Sequence, residues 1–189
     1  GFIGTLGPAV FRRRLVPAIG GPILVQSKAV NGATINASFA SPVTAGNSVI
    51  LLIQMSAGDL LLSNPTINGE SFGAAVVSKT QADILYIFCK HQAPDGTIRA
   101  VADAADTMTM ILLEWSGLTN AAAESTASGG ATGTAPATGT ASPTSARNVL
   151  IAAVGGTGVV AAISAGPTNS FTGLGIGTLA TGAYLVQTT

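Results

Sequence analysis

The sequence predicts an all-β protein, an antiparallel β-sandwich of the jelly-roll or immunoglobulin-like kind with an extended N-terminal arm. Three observations carry that expectation. Short runs rich in Val, Ile, Leu and aromatic residues recur from residue 23 onward. Turn signals separate them, at Asn31-Gly32, Asn68-Gly69 and Pro94-Asp95-Gly96. The run Val49–Met55 is continuously apolar, as a strand buried on both faces should be.

Taken in order, residues 1–21 (GFIGTLGPAVFRRRLVPAIGG) do not read as part of a compact fold, because Pro8, Pro17 and recurrent glycines interrupt any regular element. Yet Phe2, Ile3, Leu6, Phe11, Leu15 and Ile19 are too apolar for a solvated linker, and Arg12, Arg13 and Arg14 add a basic cluster. Such a segment orders on a partner, so 1–21 reads as a partner-binding arm. The domain proper is 22–189. Strands are expected at 23–30, 33–40, 49–55, 74–79, 84–90, 97–102 and 108–115, with Asn31-Gly32 turning the first two into a hairpin. The one helix the pattern allows is a short one at Asp59–Leu62. Asn120–Ala141, rich in Ala, Ser, Thr and Gly, reads as a long loop or a weak strand around Ala131–Thr140.

Charged residues are 8% of the chain, against about 25% in an ordinary soluble domain. Net charge is zero, and from Ser125 to Thr189 the only charged side chain is Arg147. Charge keeps small domains apart, so the chain is expected either at a membrane or covered by other subunits. The membrane reading is the weaker. Asn148–Ala165 carries no charge, but it contains glycines and small polar residues and lacks aromatic or basic anchors, so it reads as a strand, a turn and a second strand. The N-terminus does not read as a secretory signal, since its arginines follow an apolar beginning.

Ser38–Leu52 and Gly139–Ala153 are similar: Ala40, Ser41, Pro42, Asn47 and Ile50 meet Ala141, Ser142, Pro143, Asn148 and Ile151 at an offset of 101 residues. Pro65-Thr66, Phe72 and Tyr86 meet Pro167-Thr168, Phe171 and Tyr184 at nearby offsets. Two readings stand, chance in a biased composition or two pseudo-repeats over 33–118 and 131–189. On the second reading the later repeat lacks a hairpin, and its open edge is closed by the strand at 23–30 or by a neighbouring subunit.

No constellation points to catalysis. His91 is the only histidine, and a Ser-His-Asp arrangement would need it with Asp95 or Asp83. The close acid pair Asp103 and Asp106 reads as turn chemistry, and no metal or cofactor is expected. The Gly-rich stretches match neither phosphate-loop spacing. Three arginines release few counterions, so nucleic acid is not the favoured partner. Trp115 is expected in the core beside Tyr86 and Phe88, with a sugar-stacking surface as the alternative. Cys89, the single cysteine, reads as a small buried hydrophobe.

The segments NSVILLIQMS, PTINGESFGAAVVSKTQADILYIFCK and PDGTIRAVADAADTMTMILLEWSGL resemble a β-sandwich module of bacteriophage structural proteins. The resemblance rests on Ala45-Gly46-Asn47 before an apolar strand, Asn68-Gly69, Tyr86, Gly96 with Ile98, and Glu114-Trp115-Ser116-Gly117. It spans roughly 33–186 and leaves 1–21 outside. It implies a non-enzymatic virion part, of the capsid decoration or cement kind or the tail-fibre kind. The single sandwich and the apolar basic arm favour a cement subunit, a homo-oligomer (a trimer favoured) made in the host cytoplasm and seated on the major capsid protein lattice. No small-molecule substrate is expected. A tail-tip or fibre adhesin for host glycans, and a jelly-roll coat protein, are the alternatives.

Overall fold

The computed structural model describes residues 21–56, 59–80, 83–103, 108–118, 149–155, 172–176 and 180–186. All regular structure in them is β. The strands are β1 (Ile23–Gly32), β2 (Thr34–Ala37), β3 (Ser48–Ser56), β4 (Thr66–Ile67), β5 (Glu70–Ser71), β6 (Val77–Thr80), β7 (Asp83–Lys90), β8 (Ile98–Val101), β9 (Met108–Ser116), β10 (Val149–Gly155), β11 (Thr172–Ile176) and β12 (Ala180–Val186). They form three sheets: a central one in the order β1-β9-β3-β7-β6, a four-stranded one in the order β2-β8-β4-β5, and a three-stranded one in the order β10-β12-β11. Every pairing is antiparallel. The central and four-stranded sheets enclose the main core and make the antiparallel sandwich.

The centre of the molecule is the pair β3 and β9, in register from Ser48↔Trp115 to Gln54↔Thr109. Successive side chains of a strand point to opposite faces. Val49, Leu51, Ile53 and Met55, with Met108, Met110 and Leu112, point at the four-stranded sheet and pack against Ile35, Ala37, Ile67, Ile98 and Ala100. Ile50, Leu52, Ile111, Leu113 and Trp115 point the other way, where Val149, Ile151 and Ala153 of β10 pack against them. Both strands are therefore buried on both faces. Their continuous apolar runs, in place of alternation, are the direct consequence. Gln54 breaks the run. Its amide is 1% exposed, and neither its nitrogen nor its oxygen has a hydrogen-bond partner.

Two Asn-Gly pairs behave differently. At Asn68-Gly69 the backbone is left-handed at both residues (φ 49° and 81°), and β4 and β5 form the tight hairpin that such φ values permit. At Asn31-Gly32 the hairpin expectation fails. β1 continues through Gly32 along β9, while β2 pairs with β8 in the other sheet. The chain crosses between layers here. The reason is burial: β2 alternates with Ile35 and Ala37 facing the core, a position only the four-stranded sheet offers. The short helix expected at Asp59–Leu62 is also absent. Leu61 bridges to Ala102, with Leu62 N–H donating to Val101 O (2.9 Å) and Asp103 N–H to Leu60 O (2.8 Å), so Leu60–Leu62 adds a rung beside the end of β8.

The N-terminal strand closes an edge, but not the expected one. β1 lies along β9, completing the sheet of the first half. The three-stranded sheet has the same order of connection as β3-β7-β6: its first strand pairs with its last, and the middle one folds against that last strand. The registers differ, since Tyr86 lies opposite Ile53 and Tyr184 opposite Ile151. The weak-strand region 131–140, and most of the stretch that would carry the second pseudo-repeat, fall outside the described residues.

Burial on both faces has a measurable consequence. Leu112→Ala and Ile111→Ala each remove a fully buried side chain, on opposite faces of β9. Each should destabilise the protein by about 2–5 kcal/mol, read from the shift in a urea unfolding midpoint. A loss under about 1 kcal/mol at Ile111 alone would show that water reaches the face covered by β10.

Candidate functional site

The Ala45-Gly46-Asn47 turn, Gly96 with Asn68-Gly69, and Glu114-Trp115-Ser116-Gly117 lie toward one end of the sandwich, where the buried carboxylate of Glu114 binds the first of them; Tyr86, opposite Ile53, lies away from it. Thr44-Ala45-Gly46-Asn47 is a β-turn, with Asn47 N–H donating to Thr44 O (3.0 Å) and Gly46 at φ 89°, the left-handed third position that a type II turn requires. Glu114, on β9, is 0% exposed. Its Oε1 accepts from Thr44 N–H (2.8 Å) and Asn47 Nδ2 (2.7 Å), and its Oε2 from Gln26 Nε2 (2.5 Å). Gln26 Nε2 also lies 3.0 Å from Ser41 O. A charge in the interior is tolerated only when its hydrogen-bonding capacity is met, and here three amide groups meet it.

The neighbouring motif residues have similar architectural roles. Trp115 follows Glu114, so it points to the opposite face, and it is 0% exposed. It is a core residue, as expected, but Tyr86 and Phe88 lie on the other side of the central sheet. Alternation along β7 and β9 decides this, and it removes Trp115 as a sugar-stacking surface. Gly117 (φ 79°) sits where a Cβ would come 3.3 Å from Gly21 O, beside the start of β1. Gly96 is required by close approach, because a Cβ there would lie 2.8 Å from the Cβ of Asn68 in the β4–β5 turn. Asp95 Oδ1 accepts Val43 N–H (2.9 Å), and Ala93 N–H donates to Asn47 O (2.9 Å), which ties the Pro-Asp-Gly loop to the same end.

The residues weighed for catalysis are placed as follows. His91 Nδ1 lies 3.0 Å from Ser48 Oγ, but Ser48 is 0% exposed and unreachable by a substrate. Asp95 is engaged with Val43 as described, and the side chain of Asp83 lies outside the described residues. A G-x-S-x-G nucleophile elbow is not expected from the sequence reading, but Gly69-Glu70-Ser71-Phe72-Gly73 does carry that spacing. That motif needs a strand-to-helix turn. Here it forms a β-strand and its exit, Ser71 Oγ accepts Gly73 N–H (3.0 Å), and Glu70 pairs with Lys90 at 3.1 Å. Asp103 Oδ1 accepts Leu60 N–H (2.7 Å), while Asp106 is outside the described residues. Among the described residues no three His, Cys, Asp or Glu side chains gather as metal ligands would, and no helix is long and apolar enough to cross a membrane. The arm residues Phe2, Ile3, Leu6, Phe11, Arg12, Arg13, Arg14, Leu15 and Ile19 lie outside the described residues. The body they lead into begins with Ile23 and Val25, 59% and 46% exposed.

Cys89 packs against the cluster around Trp115 and Ile50. Burial pushes its thiol from 9.0 up to about 11. No protein-family model, curated protein or solved structure matches this chain.

Two measurements test this region. Glu114→Gln keeps the shape but turns an amide NH2 toward donors, leaving at least one buried group unpaired. It should destabilise by about 1.5–3 kcal/mol and speed hydrogen exchange at the Thr44 amide. Because the Cys89 thiolate is disfavoured more in the folded chain than in the unfolded one, stability should hold below pH 9 and decline as pH rises toward 11. In Cys89→Ala that alkaline decline should be smaller.

Proposed function

We propose that this protein is a virion structural subunit, a capsid cement or decoration protein that stabilises a phage shell through protein–protein contacts. The observation that carries the reading is the exposed apolar start of β1, at Ile23 and Val25, which follows an apolar and arginine-bearing segment in the sequence. The sequence of residues 1–21 contains Phe2, Ile3, Leu6, Phe11, Leu15 and Ile19, and in the first strand of the sandwich Ile23 and Val25 are exposed. Exposed apolar residues on a chain with only 8% charged residues are expected to be covered by another protein. Arg12, Arg13 and Arg14 would pair with acidic patches on the major capsid protein lattice.

Two further points support a non-enzymatic role. The resemblance motifs hold the sandwich together: Glu114 binds the Ala45-Gly46-Asn47 turn, and Gly96 makes room for Asn68. The stretch Ser125–Thr189, with Arg147 as its only charged side chain, suits packing against sister subunits in a homo-oligomer, with a trimer favoured. A subunit that binds the assembled shell and not its separated parts stabilises the shell by mass action.

Deleting residues 1–21 should abolish attachment to purified shells, scored by co-sedimentation, while circular dichroism and the oligomeric state of the truncated protein stay unchanged. Full occupancy on shells without those residues would overturn the arm model.

A further inference from the structure

β1 is the outermost strand of the central sheet. β9 pairs with one of its edges, and among the described residues no strand pairs with the other. Ser27, Lys28 and Ala29 are exposed in succession, so both faces of the strand are wet there, and Asn31 is exposed as well. An edge of this kind is a template for another strand, and folded proteins usually guard it with proline, charge or a bulge. The bulge at Val25 guards only the start. From Gln26 to Gly32 the register with β9 is unbroken, against Glu114 to Met108. That run holds no proline, and its one charged residue, Lys28, turns its ammonium back onto Ser38 O of the same chain (2.8 Å). The following segment lies on the same side of the molecule. β2 is the edge of the four-stranded sheet, and Gln26 Nε2 reaches Ser41 O (3.0 Å). Thr34, Asn36, Ser38, Ala40 and Ser41 are exposed along it. The edges of both layers therefore meet solvent on one side wall.

We propose that this side wall pairs with the same wall of a second copy of the chain, β1 against β1, antiparallel about a two-fold axis. The inference rests on β1 and its neighbours alone and holds whether or not the protein joins a shell. The symmetry of the run selects a second copy as the occupant. Ala29 is the midpoint of Gln26–Gly32, so full-length antiparallel pairing sets Ala29 beside Ala29 of the second copy. Ser27 then meets Asn31 of the second copy, Lys28 meets Val30 and Gln26 meets Gly32. No like charges stand opposite each other, an arrangement that would destabilise the pair. Asn31 Oδ1 already accepts from Thr109 Oγ1 (2.7 Å), which leaves its NH2 to donate to Ser27 Oγ across the axis. Zero net charge adds no long-range repulsion between copies. Because the contact is two-fold, it adds to any contact made through Ser125–Thr189: a trimer built there would pair into a hexamer, and a lone chain into a dimer. Residues 26–32 and 34–41 are fewer than the about 20–30 per partner of a standard interface, so the pair should come apart on dilution.

The test follows the full chain by sedimentation velocity over a dilution series, with hydrogen exchange measured at its two ends. Particle mass should fall by half on dilution. Within Gln26–Gly32 the amides turned toward β9 should stay protected throughout, and the alternate ones turned outward should be protected only in the concentrated sample. Ala29→Lys, at an exposed position, sets two ammoniums face to face at the axis. It should move the dissociation midpoint to at least tenfold higher protein concentration and leave the melting temperature of the dilute protein unchanged. Ser27→Lys, also exposed, gives the same reading should the first variant fold poorly. A mass that never halves on dilution, a midpoint unmoved in both variants, or outward amides that exchange freely in the concentrated sample would each overturn the proposal. Outward amides protected equally in the dilute sample would also overturn it, since the chain's own residues would then cover the edge. None of these outcomes bears on attachment to shells through residues 1–21.

Discussion

β3 and β9 are hydrogen-bonded to each other from Ser48↔Trp115 to Gln54↔Thr109, and both are covered on their two faces. This pairing is the constraint the rest of the structure satisfies. Each remaining strand extends the sheet these two begin or closes one of its faces. β1 and β7 flank the pair, β6 follows β7, the four-stranded sheet covers one face, and β10 with its partners packs over the other. Burying a side chain such as Leu51 or Leu113 contributes about 1.5–3 kcal/mol. A central layer with no wet face collects that contribution at nearly every position and needs little from the surface. That is consistent with so few charged residues.

The ends of such a layer are the difficult part, because backbone and loop groups there must be paired without much water. Glu114 solves this at one end. A single carboxylate accepts from a turn amide, a side-chain amide of the same turn and a glutamine of the edge strand. It thereby fixes the loop at 41–47 against β9 and β1 together. Asp95 does the same on a smaller scale for Val43. The polar residues that stand out in the sequence are therefore fastenings, and their spacing reflects where loops cross the end of the sandwich. At the opposite end Asp103 Oδ1 accepts from Leu60 N–H at 2.7 Å and Asn31 Oδ1 from Thr109 Oγ1 at 2.7 Å, while Gln54, in the same row as Asn31 and Thr109, keeps an unpaired amide.

Much of this architecture was legible. The long strands β1, β3, β7 and β9 fall where the apolar runs put them, because a run such as SVILLIQMS or MTMILLEWS leaves the chain no other way to hide its side chains; the two-residue β4 and β5 have no such run and were marked only by the Asn68-Gly69 turn between them. What one sequence could not convey was which sheet a strand joins. The same dipeptide, Asn-Gly, makes a hairpin at residue 68 and a crossing between layers at residue 31. The difference lies in the partners, which are distant in the chain. The face on which Trp115 lies follows from parity once the register with β3 is known, and register depends on the whole sheet.

A middle layer enclosed on both sides also limits how the chain can change. On an ordinary sandwich half the positions of each strand tolerate polar replacement, and variation collects there. β3 and β9 lack such positions, so a lineage under pressure to alter its surface would have to do so through loops and the outer sheets. Divergence in this protein should therefore be stratified: a central pair that drifts slowly among aliphatic residues, wrapped in layers free to vary with whatever they touch.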